Sequence, residues 1–172
     1  MRPFAIACLA LLAAAPDAAF NPEGYRIAHY RGPIPAPPPG VTRTDPANVA
    51  KLRTVVLIDV LPAEGAARDA NGTWRLAQPR PSLPGAHWFP GAGRGDPSPD
   101  IAAWFEHGVA RLTHGDKART IVTFCLADCW MSWNAAKRLH ALGYTHVQWL
   151  SEGTDGWHDA GLPLVDATPE PE

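Results

Sequence analysis

The sequence has no excess of basic charge, no internal repeat, no apolar run of membrane-spanning length and only three cysteines. Each shortage removes a class of function. A net charge of -2 leaves no basic stripe to neutralise phosphates, so nucleic acid is not an expected partner. The apolar stretch from Phe4 to Ala15 is too short to cross a bilayer, and nothing comparable follows it, so no stable membrane anchor is expected. Three cysteines in 172 residues do not make a disulfide scaffold, and a chain of this length buries a core without such staples. Cys125 and Cys129 are separated by three residues, which is not the usual zinc spacing. Trp130 follows the second cysteine where covalent haem attachment needs two intervening residues and then His. No metal and no cofactor are expected.

What the chain does have is proline and glycine, 19 and 15 residues, gathered in an N-terminal arm, the central loops and the tail. Residues 1–19 read as a secretion signal, with Arg2 as the positive end, Phe4 to Ala15 as the apolar stretch and small residues near the cut. Cys8 leaves with it. The mature chain then carries Cys125 and Cys129 into an oxidising compartment, the bacterial periplasm, where a disulfide between them is expected.

Residues 20–44 form a proline-rich arm, an extended spacer or a strip docked on the domain, with Tyr25 and Tyr30 as packing anchors. Residues 45–165 read as one α/β domain. Asp45 and Pro46 open a short helix. Thr54 to Val60 is a continuous apolar strand of the buried, parallel kind. Pro62 to Gly85 is a long excursion with a small strand near Thr73–Leu76, and loops of this length are functional or mobile. His87 to Pro90 is a second short strand, and Asp100 to Leu112 repeats Ile101, Phe105, Val109 and Leu112 at helical spacing. Strands alternating with helices predict a mostly parallel sheet flanked by helices. The acidic, proline-bearing residues 166–172 read as a disordered tail.

The chemistry falls between Ile121 and Leu139. Ile121-Val-Thr-Phe124 is a buried strand, Cys125 to Asp128 a short loop, and Met131, Ala135, Leu139 and Leu142 one face of a helix stopped by Gly143. A strand that feeds a loop and then a helix turns backbone N–H groups into the loop, which favours anions and thiolates. Asp128 is placed to cap the helix.

A strand-end cysteine, a helix carrying Ala135-Ala136, a Gly143-Tyr144 turn, a further strand and Gly161-Leu-Pro163 resemble the rhodanese-like domain. Val56-Leu-Ile-Asp-Val60 resembles its first core strand, with Asp59 at the strand end, and Leu83-Pro-Gly-Ala-His87 its Pro-Gly-Ala turn. The run Cys125-Leu-Ala-Asp-Cys-Trp-Met-Ser-Trp133 resembles the secreted proteins described as PQQ-dependent-catabolism-associated CXXCW motif proteins, with three residues rather than two between the cysteines. The resemblance implies that Cys125 occupies the persulfide-forming nucleophile position and that Ser132 falls near the residue closing the active loop. It also implies service to a periplasmic quinoprotein dehydrogenase, its cytochrome or its transport components.

Against simple sulfur transfer, the loop has no basic side chain to bind an anionic donor, and Asp128 adds negative charge beside the thiol. Three readings stay open. Cys125 and Cys129 are a redox-active pair, or Cys125 carries a persulfide, or an inert disulfide shapes a binding module whose aromatic platform is Trp130 and Trp133. A metal held by the two thiols with His140, His146 or His158 is a further rival.

Overall fold

The computed structural model describes residues 19–172, so all but the last residue of the expected secretion signal lies outside the described residues. The first strand, β1 (Thr42–Thr44), belongs to what the sequence presents as the arm, and the short helix α1 (Pro46–Val49) follows it. Asp45 caps α1 as its residue type predicts, accepting a hydrogen bond from the Asn48 amide at 2.8 Å.

β2 (Val56–Asp59) leads into the excursion, which is not structureless. It folds a two-stranded ribbon of β3 (Ala67–Arg68) and β4 (Trp74–Arg75), then β5 (Arg80–Ser82); β6 (Ala86–Trp88) follows it, starting one residue before the short strand expected at His87 to Pro90. Next come α2 (Pro99–Leu112), β7 (Ile121–Phe124), α3 (Trp130–Ala141), β8 (Val147–Leu150), α4 (Gly153–Asp159) and β9 (Val165–Ala167).

The main sheet has five strands in the order β1-β8-β7-β2-β6, every neighbouring pair parallel. The period-two alternation of β7 shows how it is sandwiched. Val122 and Phe124 join Val49, Leu83, Leu150 and Trp157 on one face. Ile121 joins Val56, Phe105, Ala135 and Leu139 on the other. The expected inward face of α3 is observed, with Met131 7%, Ala135 0% and Leu139 0% exposed. Chain order runs from β2 outward to β6 and then back across to β7, so the reversal lies between β2 and β7. Crevices of open parallel sheets form beyond the carboxyl ends of strands at such a point.

Two stretches lie closer to the domain than composition suggests. The arm is docked: Asn134 of α3, fully buried, accepts from the Arg26 amide at 2.9 Å and donates to the Arg26 carbonyl at 2.8 Å. Trp133 Nε1 donates to the Ala36 carbonyl at 2.9 Å. The acidic end, expected as a disordered tail, is instead laid on the domain. β9 pairs antiparallel with β5, the Glu170 amide donates to the Trp88 carbonyl, and its carboxylate meets both Arg111 and His87. Composition undervalues this segment because its partners, an edge strand, an arginine and a histidine, are remote in sequence.

Candidate functional site

Cys125 follows the last residue of β7, and Cys129 stands at the N-cap position of α3. The two are joined as a disulfide with their Cα atoms 6.2 Å apart, within the range such a bond requires. The cap differs from the sequence expectation. Cys129, not Asp128, holds the extended cap conformation, while Asp128 has φ 51° and is exposed. A non-glycine residue in the left-handed region is uncommon, and Asp is among the types that tolerate it.

Remote segments fix the loop. The Cys125 carbonyl accepts from the Thr154 amide at 3.0 Å and its hydroxyl at 3.3 Å, and the Ala127 amide donates to the Asp155 carboxylate at 3.0 Å. Gly153, φ 57°, lies so close that a Cβ there would come within 2.6 Å of the Leu126 carbonyl carbon. On the opposite side the arm runs antiparallel to the loop, with Arg31 bridged to Cys129. The Trp130 amide donates to the Tyr30 carbonyl at 2.8 Å, and the Gly32 amide to the Asp128 carbonyl at 3.0 Å.

This changes the electrostatic reading of the loop. The amides of Ala127 and Trp130, which the strand-loop-helix pattern turns towards an anion, are already taken by a carboxylate and by the arm. Asp155 brings a second carboxylate to the loop, at the Ala127 amide. Ser132 is not free to close over a ligand either. It is 1% exposed, donates to the Cys129 carbonyl at 3.0 Å and accepts from Trp149 Nε1 at 3.0 Å. Its role here is to hold the cap of α3 against the sheet.

The two tryptophans stack edge to face with their ring centroids 5.4 Å apart; the arm covers Trp130, while Trp133 stays partly exposed. Phe20 packs edge-on against Trp130 at 5.4 Å, and the Arg26 guanidinium lies 5.0 Å from both the Phe20 and the Trp130 ring centroids. Trp130 is 8% exposed. Of the two rings expected as a platform, the chain's own arm packs on Trp130. No cluster of three or more metal-ligating side chains is present among the described residues, so His140, His146 and His158 do not gather at the cysteines.

Sequence reasoning missed two features. Asp59 accepts from the Leu61 amide at 3.0 Å, the bland role of an Asp at a strand end. It also meets Arg80 Nε at 3.0 Å and the Ser82 hydroxyl at 2.7 Å, both from β5, and all three side chains are buried. Arg80 Nη2 stands 2.9 Å from the same carboxylate oxygen without hydrogen-bond alignment. Burial pushes the Asp59 carboxyl above its ordinary value, against the pull of Arg80, the Leu61 amide and the Ser82 hydroxyl. The alternating Arg-Pro-Ser of β5 was the available signal, hidden in a proline-rich excursion. The second feature is a cleft of about 730 Å³ beside Cys129, lined also by Tyr30, Arg31, Leu61, Glu64 and Arg94. The basic side chains missing from the loop stand here, brought by the arm and by the turn after β6. A neighbouring pocket of about 330 Å³ shares Leu61 and Leu126 with it and reaches Arg80 and Trp88.

Among curated proteins nothing matches this chain. Among solved structures it is similar to a thiosulfate sulfurtransferase from Pseudomonas aeruginosa, with TM-score 0.51 and 19% identity over 76% of this chain. This chain spans 21% of that protein, and at such identity the likeness speaks for the fold alone. A polysulfide-sulfur transferase homodimer from Wolinella succinogenes gives TM-score 0.48 and 18% identity, covering 75% of this chain and 81% of that one. The sequence model of the rhodanese-like domain family matches residues 47–160, most of the chain and all of the disulfide loop. With the five-stranded parallel sheet and a cysteine at the end of its central strand, the chain belongs to the rhodanese-like domain family.

Proposed function

We infer that this sulfurtransferase-type domain works as a thiol-disulfide redox protein through Cys125 and Cys129. One observation carries the reading: Cys125, which the resemblance places at the family's nucleophile position, is covalently paired to a second cysteine at the foot of α3. A bond closing so small a loop constrains the unfolded chain little, so a purely structural purpose is weakly served. Reduced, Cys129 would sit at a helix N-terminus, where the dipole favours a thiolate. Exchange then proceeds through a mixed disulfide that the second cysteine resolves.

The rival is sulfur transfer by a Cys125 persulfide. Burial of Cys125, the two carboxylates at the loop and the occupied amides of Ala127 and Trp130 argue against an anionic donor reaching that sulfur. The third reading is a binding module shaped by an inert disulfide. The arm packed on Trp130 leaves it only the partly exposed Trp133 as an aromatic surface at the loop.

Our proposal extends to place and service: a periplasmic protein, exported by the signal in residues 1–19, accessory to PQQ-dependent alcohol catabolism. Its support is the resemblance of the Cys-Leu-Ala-Asp-Cys-Trp run. The partner proposed is a quinoprotein dehydrogenase, its cytochrome or its transport components. Loss of the chain should then slow growth on an alcohol and leave growth on a sugar unchanged; equal growth on both would remove this part of the proposal.

Thiosulfate-to-cyanide turnover tests the chemistry. The redox reading expects little turnover by the unmodified protein. Robust turnover, abolished in Cys125→Ser and untouched in Cys129→Ser, would establish the sulfurtransferase instead.

A further inference from the structure

The two sulfurs of the disulfide are not equivalent to a visitor. Cys125 is fully buried and lines neither of the two pockets beside the loop. Cys129, 3% exposed, forms part of the wall of the 730 Å³ cleft. The same wall carries Arg31 from the arm and Arg94 from the turn after β6, both exposed and neither in an ion pair with a described residue. The Arg94 guanidinium lies 5.9 Å from the Tyr30 ring centroid, on the side chain of another residue of the wall. Glu64 is the single carboxylate of the wall, and Asp128, though next to Cys129 in the chain, is not part of it, so the two guanidinium groups leave the cleft a positive balance beside Cys129.

We propose that Cys129 is the sulfur that exchanges, and that Arg31 and Arg94 make the cleft a receptor for a small thiol bearing an anionic group. The proposal rests on the redox reading of the pair and names its entry point and substrate class. It departs from the assignment carried by the family resemblance, in which Cys125 is the reacting sulfur.

The chemistry balances with the thiol as reductant. A thiolate, its proton already given to solvent, attacks Cys129 Sγ from the cleft. The Cys125–Cys129 bond breaks, and its electron pair goes to Cys125, which takes up a proton. This leaves a mixed disulfide on Cys129. A second thiolate displaces Cys129 by attacking the bound sulfur, and Cys129 takes up a proton. Two thiols have become one small disulfide, and the protein holds two electrons and two protons as a dithiol. Two guanidinium groups near the path should favour an anionic over a cationic thiol by about tenfold at low salt, and this preference should shrink as salt rises.

The test follows reduction of the oxidised protein by 2-mercaptoethanesulfonate, 2-mercaptoethanol and cysteamine, with each rate constant divided by its thiolate concentration. The expected order is anionic, neutral, cationic, with a spread of about tenfold. Arg31→Gln and Arg94→Gln, both exposed positions, should each narrow the spread, and 1 M salt should narrow it in the unmodified protein. Peptide mapping of the reduced Cys125→Ser variant treated with the oxidised, disulfide form of mercaptoethanesulfonate should find the adduct on Cys129. The reduced Cys129→Ser variant should acquire it on Cys125 far more slowly. Equal normalised rates for the three thiols, or faster labelling of Cys125, would overturn this assignment and leave the redox reading standing. A disulfide that none of the three thiols reduces would overturn both.

Discussion

Strands β2 and β7 lie side by side in register, Asp59 opposite Phe124, yet their carboxyl ends are finished in opposite ways. β2 ends in a buried ionic knot, with Asp59 held by Arg80 and Ser82. β7 ends in a loop whose one charged side chain, Asp128, is exposed. Backbone hydrogen bonds to the arm and to α4 hold it, with a covalent bond that electrons can open. The first arrangement is costly to disturb, because removing either partner strands a charge away from water. The second can be cut and remade without unburying a charge. Rigidity sits at one strand end and reversible chemistry at the next.

The ionic end gives the largest expected effect. Arg80→Ala should lower unfolding free energy by about 3–5 kcal/mol, since it leaves the Asp59 carboxylate buried without its counter-charge. Urea denaturation measures this. A loss no larger than that of a surface substitution would mean that β5 does not anchor β2. Asn134→Ala comes next. It removes the three hydrogen bonds by which α3 holds Arg26 and Gly93, and should cost about 2–3 kcal/mol. It should also loosen the arm over Trp130, so tryptophan fluorescence should shift towards that of a wetter ring. An unchanged emission maximum would mean that the arm is held by other contacts.

The smallest effect is a slope. Burial raises the Asp59 carboxyl, so the folded chain binds that proton more tightly than the unfolded chain does. The group's contribution to stability is therefore fully present below the unfolded value and is lost as pH rises through the raised, folded one. Asp59→Asn cannot titrate, and the loss of stability across that window should disappear from its profile. A profile parallel to that of the unmodified protein would show that Asp59 titrates as it does in the unfolded chain.

The same contrast separates what the sequence discloses from what it conceals. The β7–α3 unit was legible because its signals are local: a β-branched run, a cysteine at its end, then Met131, Ala135 and Leu139 at helical spacing. The partner strands and the parallel sheet followed from the alternation of such units. Asp59 was legible as a strand end, but its ionic partner, 21 residues on, was not, because a short edge strand containing proline carries almost no periodic signal. The cleft was hidden for a related reason. Arg31 and Arg94 flank the cysteines only after the arm has docked, and docking depends on Asn134, a polar residue whose burial no pattern announces. Asp128 was misplaced by one position, within the ordinary imprecision of helix ends.

The claim at the centre is that the bond at the end of β7 is exchangeable, and its reduction potential tests that most directly. Equilibrating the protein with dithiothreitol buffers of graded oxidation state, and counting free thiols after acid quench, gives the potential of the Cys125–Cys129 pair. The account predicts a value above about -300 mV, within reach of biological thiol-disulfide couples; a value well below that would mark the disulfide as structural and contradict it.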